Sequence, residues 1–66
     1  MRRHRWREVD IRNHERDDGA AVRHVGGAFG WAGLDPEGAP LTDPYGRERR
    51  FRTSGAAKVA VDRARP

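Results

Sequence analysis

The segment from Gly46 to Arg65 places the strongest constraint on the fold of this chain. Its first part sets arginines around Phe51, a pattern typical of a strand, and its second part predicts an alanine-rich helix from Thr53 to Arg65. Either Thr53 or Ser54 can cap this helix, because a hydroxyl oxygen can accept from a free backbone N–H of the first turn. A helix of about twelve residues is not stable alone in water, so it must pack on a sheet.

Length and composition limit the core. The chain has 66 residues and no cysteine, and a domain of this size buries only about 60% of its unfolded surface. We therefore expect one small domain over residues 1–66 with a marginal core that a homodimer or another partner supports. The lack of cysteine fits a reducing compartment. Without an apolar run of membrane-spanning or signal-peptide type, we expect a cytoplasmic protein with no membrane partner.

Basic residues concentrate at the two ends of the chain. Residues 1–12 hold five arginines against two acidic residues, residues 13–46 hold two arginines against six, and residues 47–66 hold seven basic residues against two. The two basic ends attract anions to any surface that they form together. Residues 1–5 are expected to form a flexible basic tail. All but Lys58 of the 14 basic residues are arginine, a bias that a GC-rich genome also produces without selection for phosphate binding.

A first strand is predicted from about Trp6 to Arg12, because Val9 and Ile11 alternate along it. Trp6 and Val9 are also spaced as on a helix, so this stretch stays open between strand and helix. The next segment, 13–20, is polar and ends in an Asp-Gly turn signal.

A long second strand is predicted from Ala21 to Leu34, with a bulge or sharp bend at Gly26-Gly27. Residues 35–46 contain two copies of Asp-Pro-x-Gly, which favours a loop with two type I turns. Pro40 lies between the two turns and lacks the N–H of a central strand. The third strand follows at Arg47–Arg52.

These elements predict an α+β fold with a three-stranded antiparallel sheet packed on one C-terminal helix (β-β-β-α). The small side chains of the helix suit the sheet face that carries Phe29, Trp31 and Phe51. The opposite face then stays exposed. It carries small residues of the second strand next to Arg50 and Arg52, namely Ala28, Gly30, Ala32 and Leu34.

The segment Gly46–Lys58 has a turn containing Gly-Arg, a basic strand, a Phe-Arg-Thr motif and an alanine-rich helix. It resembles the arm-type DNA-binding domain of tyrosine recombinases, and the resemblance covers the last third of the chain. It implies a sheet that enters the major groove of DNA, with Phe51 as the core anchor. The implied contact residues are Arg47, Arg49, Arg50 and Arg52.

The predicted function is therefore the non-catalytic binding of DNA or RNA by a basic sheet face. Arg5 and Arg7, from the other basic end, complete the predicted set. Arginine is suited to this role because its planar fork pairs bidentately with phosphate and guanine. Because the chain lacks the catalytic domains of a recombinase, we expect a free-standing accessory factor of a phage or mobile element. The same end, with Phe29, Trp31 and Gly38 upstream, is also similar to the small YegP-like β-β-β-α domain.

The alternative function is a protein-interaction module or inhibitor that binds a host protein. Trp31 and Tyr45 would be its aromatic anchors, and Asp17 and Asp18 part of an acidic surface that mimics nucleic acid.

No enzyme activity and no cofactor are predicted, since the chain has no cysteine and Ser54, its one serine, serves better as a cap. The histidines at positions 4, 14 and 24 could join Asp17 or Asp18 at a metal, but the surrounding arginines repel a cation, so no metal site is predicted.

Overall fold

The computed structural model describes residues 4–66, which form a five-stranded antiparallel sheet followed by one helix. In chain order the elements are β1 (Trp6–Asp10), β2 (Asn13–Arg16), β3 (Ala21–His24), β4 (Trp31–Leu34), β5 (Arg50–Phe51) and α1 (Ser54–Ala64). Each strand pairs with the strand before it in the sequence, so the sheet is a meander. The expected α+β class, antiparallel sheet and C-terminal helix are confirmed, but the expected number of three strands is wrong.

The first additional strand is β2, which lies in the segment predicted as a polar loop. Its two inward side chains, His14 and Arg16, are both buried. Strand β1 ends at Asp10, two residues before the predicted end at Arg12. The pairing register shifts between Glu8 and Asp10, and the Asp10 carboxylate accepts from the backbone N–H of Arg12 at 2.8 Å. The helical alternative for this stretch is wrong. Of the predicted basic tail, residues 1–3 lie outside the described residues, whereas Arg5 is hydrogen bonded through its backbone to Asp17.

The second additional strand arises because the predicted long strand Ala21–Leu34 is a hairpin of β3 and β4. Gly26 and Gly27 adopt φ of +111° and +84°, and the backbone N–H of Val25 donates to the carbonyl of Gly30 at 2.8 Å. These left-handed conformations reverse the chain instead of forming a bulge in one strand. Phe29 therefore lies in the turn, 59% exposed, and does not face the helix as expected.

Residues 35–46 form the expected loop of two turns. The backbone N–H of Gly38 donates to the carbonyl of Asp35 at 2.9 Å, and that of Gly46 to Asp43 at 3.0 Å. Isolated bridges tie the loop into the sheet at Leu34–Pro40 and Thr42–Glu48. Because residues upstream of β5 pair with this loop, the third predicted strand, 47–52, is too long, and β5 comprises only residues 50–51.

The helix packs on one face of the sheet at Gly33. A Cβ at this position would lie only 2.9 Å from Cγ2 of Val61, so glycine allows the close approach. Thr53 is the N-cap, and its Oγ1 accepts from the backbone N–H of Ala56 at 3.0 Å. The buried core consists of Ala20, Val22, Ala57 and Val61, with Trp6, Trp31, Leu41 and Phe51 packed around it. Within residues 4–66, α1 lacks the length and apolar character needed to cross a membrane.

Candidate nucleic-acid interface

The sheet has one face under α1 and one face opposite the helix, which we call the helix-free face. Paired residues of antiparallel strands share a face, and successive residues alternate between faces. Since Gly33 and its partner Val22 face α1, the neighbouring pairs face away from the helix. The helix-free face thus comprises Arg7, Asp10, Asn13, Glu15, Ala21, Arg23, Ala32, Leu34 and Arg50. The carboxylate of Asp10 accepts from Nδ2 of Asn13 at 3.0 Å.

A row of four side chains crosses the helix-free face, with Asn13 beside Arg23, Arg23 beside Ala32 and Ala32 beside Arg50. Two guanidinium groups therefore flank one methyl group, on strands roughly 10 Å apart. Nε of Arg23 donates to Oδ1 of Asn13 at 2.9 Å, and Arg23 has no ion pair within residues 4–66. Arg50 forms an ion pair with Glu48, with Nη2 and Oε1 3.1 Å apart. The central row thus presents one unpaired and one weakly held arginine.

Arg52 and Phe29 lie together at one end of the sheet. Arg52 follows β5, and its guanidinium carbon is 5.3 Å from the centroid of the Phe29 ring. This is cation–π geometry. Phe29, absent from the core, thus supports an arginine beside the β3–β4 turn.

The remaining predicted contact residues are dispersed. Arg7 is on the helix-free face but pairs with Glu15, with 3.3 Å between Nη2 and Oε1. Arg49 lies on the helix side, 5.0 Å from the centroid of Phe51. Only Arg7 and Arg50 of the predicted set are strand residues of the helix-free face.

Two other members of the predicted set lie in connecting segments. Arg47 follows the second turn and bonds through Nε to Oδ2 of Asp43 at 3.1 Å. Arg5 precedes β1 at the opposite end of the sheet from Arg52. Arg23 is absent from the predicted set, although its position next to the apolar Val22 in a strand indicates that it faces away from the core.

The residues proposed for protein binding occupy different environments. Trp31 is half-buried, with the rings of His14 and His24 at centroid distances of 5.4 and 5.3 Å, so it is not a free surface anchor. Tyr45 is 83% exposed at a turn, with the guanidinium of Arg47 over its ring.

Asp18 belongs to a buried ion network centred on Arg16. The Arg16 side chain is 1% exposed; its Nε and Nη2 donate to Asp18 at 2.8 and 2.6 Å, and its Nη1 donates to Asp62 at 3.0 Å. The hydrogen bonds from Arg16 hold the pKa of Asp18 well below its usual range. The same pairing raises the pKa of Arg16. Asp62 also accepts from Nε1 of Trp6 at 3.3 Å, so this network joins α1 to β1 and β2.

His4, Asp17 and Asp18 form a cluster of one histidine and two acidic residues, with possible ligand atoms within 4.8 Å of one another. Nδ1 of His4 is 2.7 Å from Oδ1 of Asp17, and this hydrogen bond lowers the pKa of Asp17. Asp18 is already held by Arg16, whose positive charge disfavours a cation. The cluster is therefore an extension of the ion network rather than a free set of three ligands.

Comparison of the chain with protein-family models, curated proteins and solved structures finds no match. The resemblance to the recombinase domain accordingly stays a prediction.

Proposed function

We propose that this protein binds nucleic acid through the helix-free face and catalyses no reaction on it. The observation that carries the proposal is the central row, in which Arg23 and Arg50 stand on either side of the small Ala32. Ala32 itself is only 3% exposed, so the surface available to a phosphate backbone is formed by the side chains of Arg23 and Arg50 on either side of it.

The contacts of Arg23 favour phosphate binding. Its bond to Asn13 uses Nε, so the two terminal nitrogens remain as a fork that can pair with two phosphate oxygens. Because Asn13 already orients the guanidinium, less side-chain entropy is lost on binding.

The ion pair of Arg50 does not prevent phosphate binding. The side chains of Arg50 and Glu48 are 37% and 42% exposed, and exposed pairs contribute only about 0–1 kcal/mol. A phosphate can therefore replace Glu48 as the partner of Arg50 at little energetic cost.

Arg52 and Phe29 extend the surface at the end of the sheet. Arg52 has no ion pair within residues 4–66, and Phe29 offers an exposed ring. Aromatic rings and arginine planes are the groups on which unpaired bases stack. A single strand thus finds both phosphate and base contacts here, whereas a duplex finds phosphate contacts alone.

The salt dependence of binding tests the proposal. Phosphate contacts by Arg23, Arg50 and Arg52 give a slope of log affinity against log salt of about −2.7 for duplex DNA, so affinity falls about 40-fold when salt rises fourfold. Arg23→Ala should reduce this loss to about 12-fold by removing one contact. Fluorescence anisotropy with a labelled duplex and a labelled single strand measures both slopes.

Arg63→Ala is the matched control, because Arg63 is an exposed arginine of α1 on the other side of the sheet and has no ion pair within residues 4–66. Its salt slope should equal that of the unmodified protein. Equal slopes for the Arg23 and Arg63 variants would refute the helix-free face as the site. Absence of binding to either probe at low salt would refute nucleic-acid binding altogether and favour the alternative of a host-protein partner. Recombinase or phage genes beside this gene would support the mobile-element origin.

A further inference from the structure

A second surface lies between the outer side of α1 and the end of β5. It is an open groove of about 600 Å³, lined chiefly by Arg49, Phe51, Ala56, Val59, Ala60 and Arg63. This volume falls in the usual range of ligand sites, about 300–1,000 Å³. The helix-free face contributes no residue to it.

The floor of the groove is an apolar stripe of α1 that the sheet only partly covers. Ala57 and Val61 are fully buried against the sheet, whereas Val59 is 50% exposed. Strand β5 ends the sheet, so no further strand of residues 4–66 lies beside it to cover this stripe. The fold thus leaves aliphatic surface next to a sheet edge.

The walls of the groove are positively charged. Arg49 lies over the ring of Phe51 and Arg63 lies in the last turn of α1, and neither has an ion pair within residues 4–66. Among residues 4–66, no acidic residue lines the groove. Asp62, the acidic neighbour of Arg63, bonds to Arg16 instead. A complementary ligand therefore combines an apolar group with negative charge.

We propose that this groove binds a short acidic peptide segment of a partner protein. An apolar side chain of the segment lies over Val59, and flanking carboxylates pair with Arg49 and Arg63. The aliphatic floor favours such a side chain over a nucleobase, because Phe51, the one aromatic ring that residues 4–66 contribute to the groove, is partly buried against the core, unlike the exposed ring of Phe29.

The test uses a short fluorescent peptide of alternating glutamate and leucine, with the full-length protein and anisotropy as the readout. Arg49→Glu and Arg63→Glu are each expected to weaken binding at least about tenfold, since a like charge then faces the peptide carboxylates. Val59→Ser is expected to weaken binding without changing the net charge. Circular dichroism checks that each variant is folded.

Arg23→Glu is the matched control, because it makes the same charge change on the helix-free face. An equal loss of peptide binding in this control would show general electrostatic attraction and overturn the proposal. Equal binding of a peptide that alternates glutamate with serine, or no binding of the glutamate–leucine peptide, would also overturn the proposal. If Arg63→Glu weakens duplex DNA binding instead of peptide binding, the groove belongs to the nucleic-acid surface and the peptide proposal is wrong.

Discussion

Replacement of Arg16 tests how polar groups support this small core. Arg16→Ala removes a guanidinium that is 1% exposed, together with its hydrogen bonds to Asp18 and Asp62. The two carboxylates are 29% and 48% exposed, so water can solvate them once the guanidinium is absent. The variant therefore leaves no buried charge without a partner.

The expected cost of Arg16→Ala follows from these contacts. Counted once for each of the two carboxylates, the charged hydrogen-bond contacts contribute about 1.5–3 kcal/mol each, and access of water to the carboxylates favours the lower end. We expect a loss of about 3 kcal/mol, or a fall of about 12–24 °C in Tm for a domain of this size. A chain of 66 residues has a total stability of only about 3–10 kcal/mol, so this loss brings it close to unfolding.

Thermal and urea denaturation of three further variants tests this expected loss of stability. Arg16→Met should cost less than Arg16→Ala, since it fills the space without a charge. The double variant Asp18→Ala, Asp62→Ala should cost more, about 3–5 kcal/mol, because the buried guanidinium then has no partner. Arg47→Ala is the control and should cost at most about 1 kcal/mol, since its pair with Asp43 is exposed. An Arg16→Ala loss no larger than that of Arg47→Ala would refute a structural role for the buried network.

Three further outcomes are expected. Gly33→Ala should lower the free energy of unfolding by about 1–3 kcal/mol, because the added methyl group meets Val61 at 2.9 Å. Gly55→Ala should raise it by about 0.5–1 kcal/mol, since a methyl group there makes only an ordinary contact, 3.9 Å from Oγ1 of Thr53. Chemical denaturation measures both changes, and changes of the same sign would contradict the packing argument. The lowered pKa of Asp18 means that its stabilisation is complete above about pH 4, its unfolded range, and is lost as pH falls toward the folded pKa. The stability difference between the unmodified protein and Asp18→Asn should therefore shrink below about pH 4 in urea titrations, and a constant difference would contradict the role of Arg16.

The sequence predicts the elements whose signals are local. The hydroxyl of Thr53, the alanines after it and the two Asp-Pro-x-Gly turns each act within a few residues, and the structure contains all of them. The position of Arg50 beside Ala32, opposite the helix, also follows from strand alternation.

The missed strands depend on contacts between distant residues. Strand β2 escapes a search for hydrophobic alternation because its inward residues are His14 and Arg16. Arg16 is accommodated inside through two carboxylates, that of Asp18 nearby and that of Asp62 in α1, 46 residues away. The sequence predicts a bulge or sharp bend within one strand at Gly26-Gly27 where the structure has a hairpin, since glycine permits each of these conformations. A single strand over 21–34 places Phe29 in the core and does not bring Arg23 beside Ala32, the residue that pairs with Arg50. One local ambiguity thus changed both the fold and the composition of the candidate site.

The meander also determines the order in which the molecule can fold. Adjacent strands are joined by short connections apart from the loop before β5, so hairpins close at small entropic cost, whereas Asp62 meets Arg16 and Trp6 across 46 and 56 residues. We expect the hairpins to form in the folding transition state and α1 to dock after it. Loss of the Asp62 contacts should then accelerate unfolding and leave the folding rate nearly unchanged. The ion network between helix and sheet is thus expected to control the unfolding rate, and with it the lifetime of the native state, rather than the folding rate.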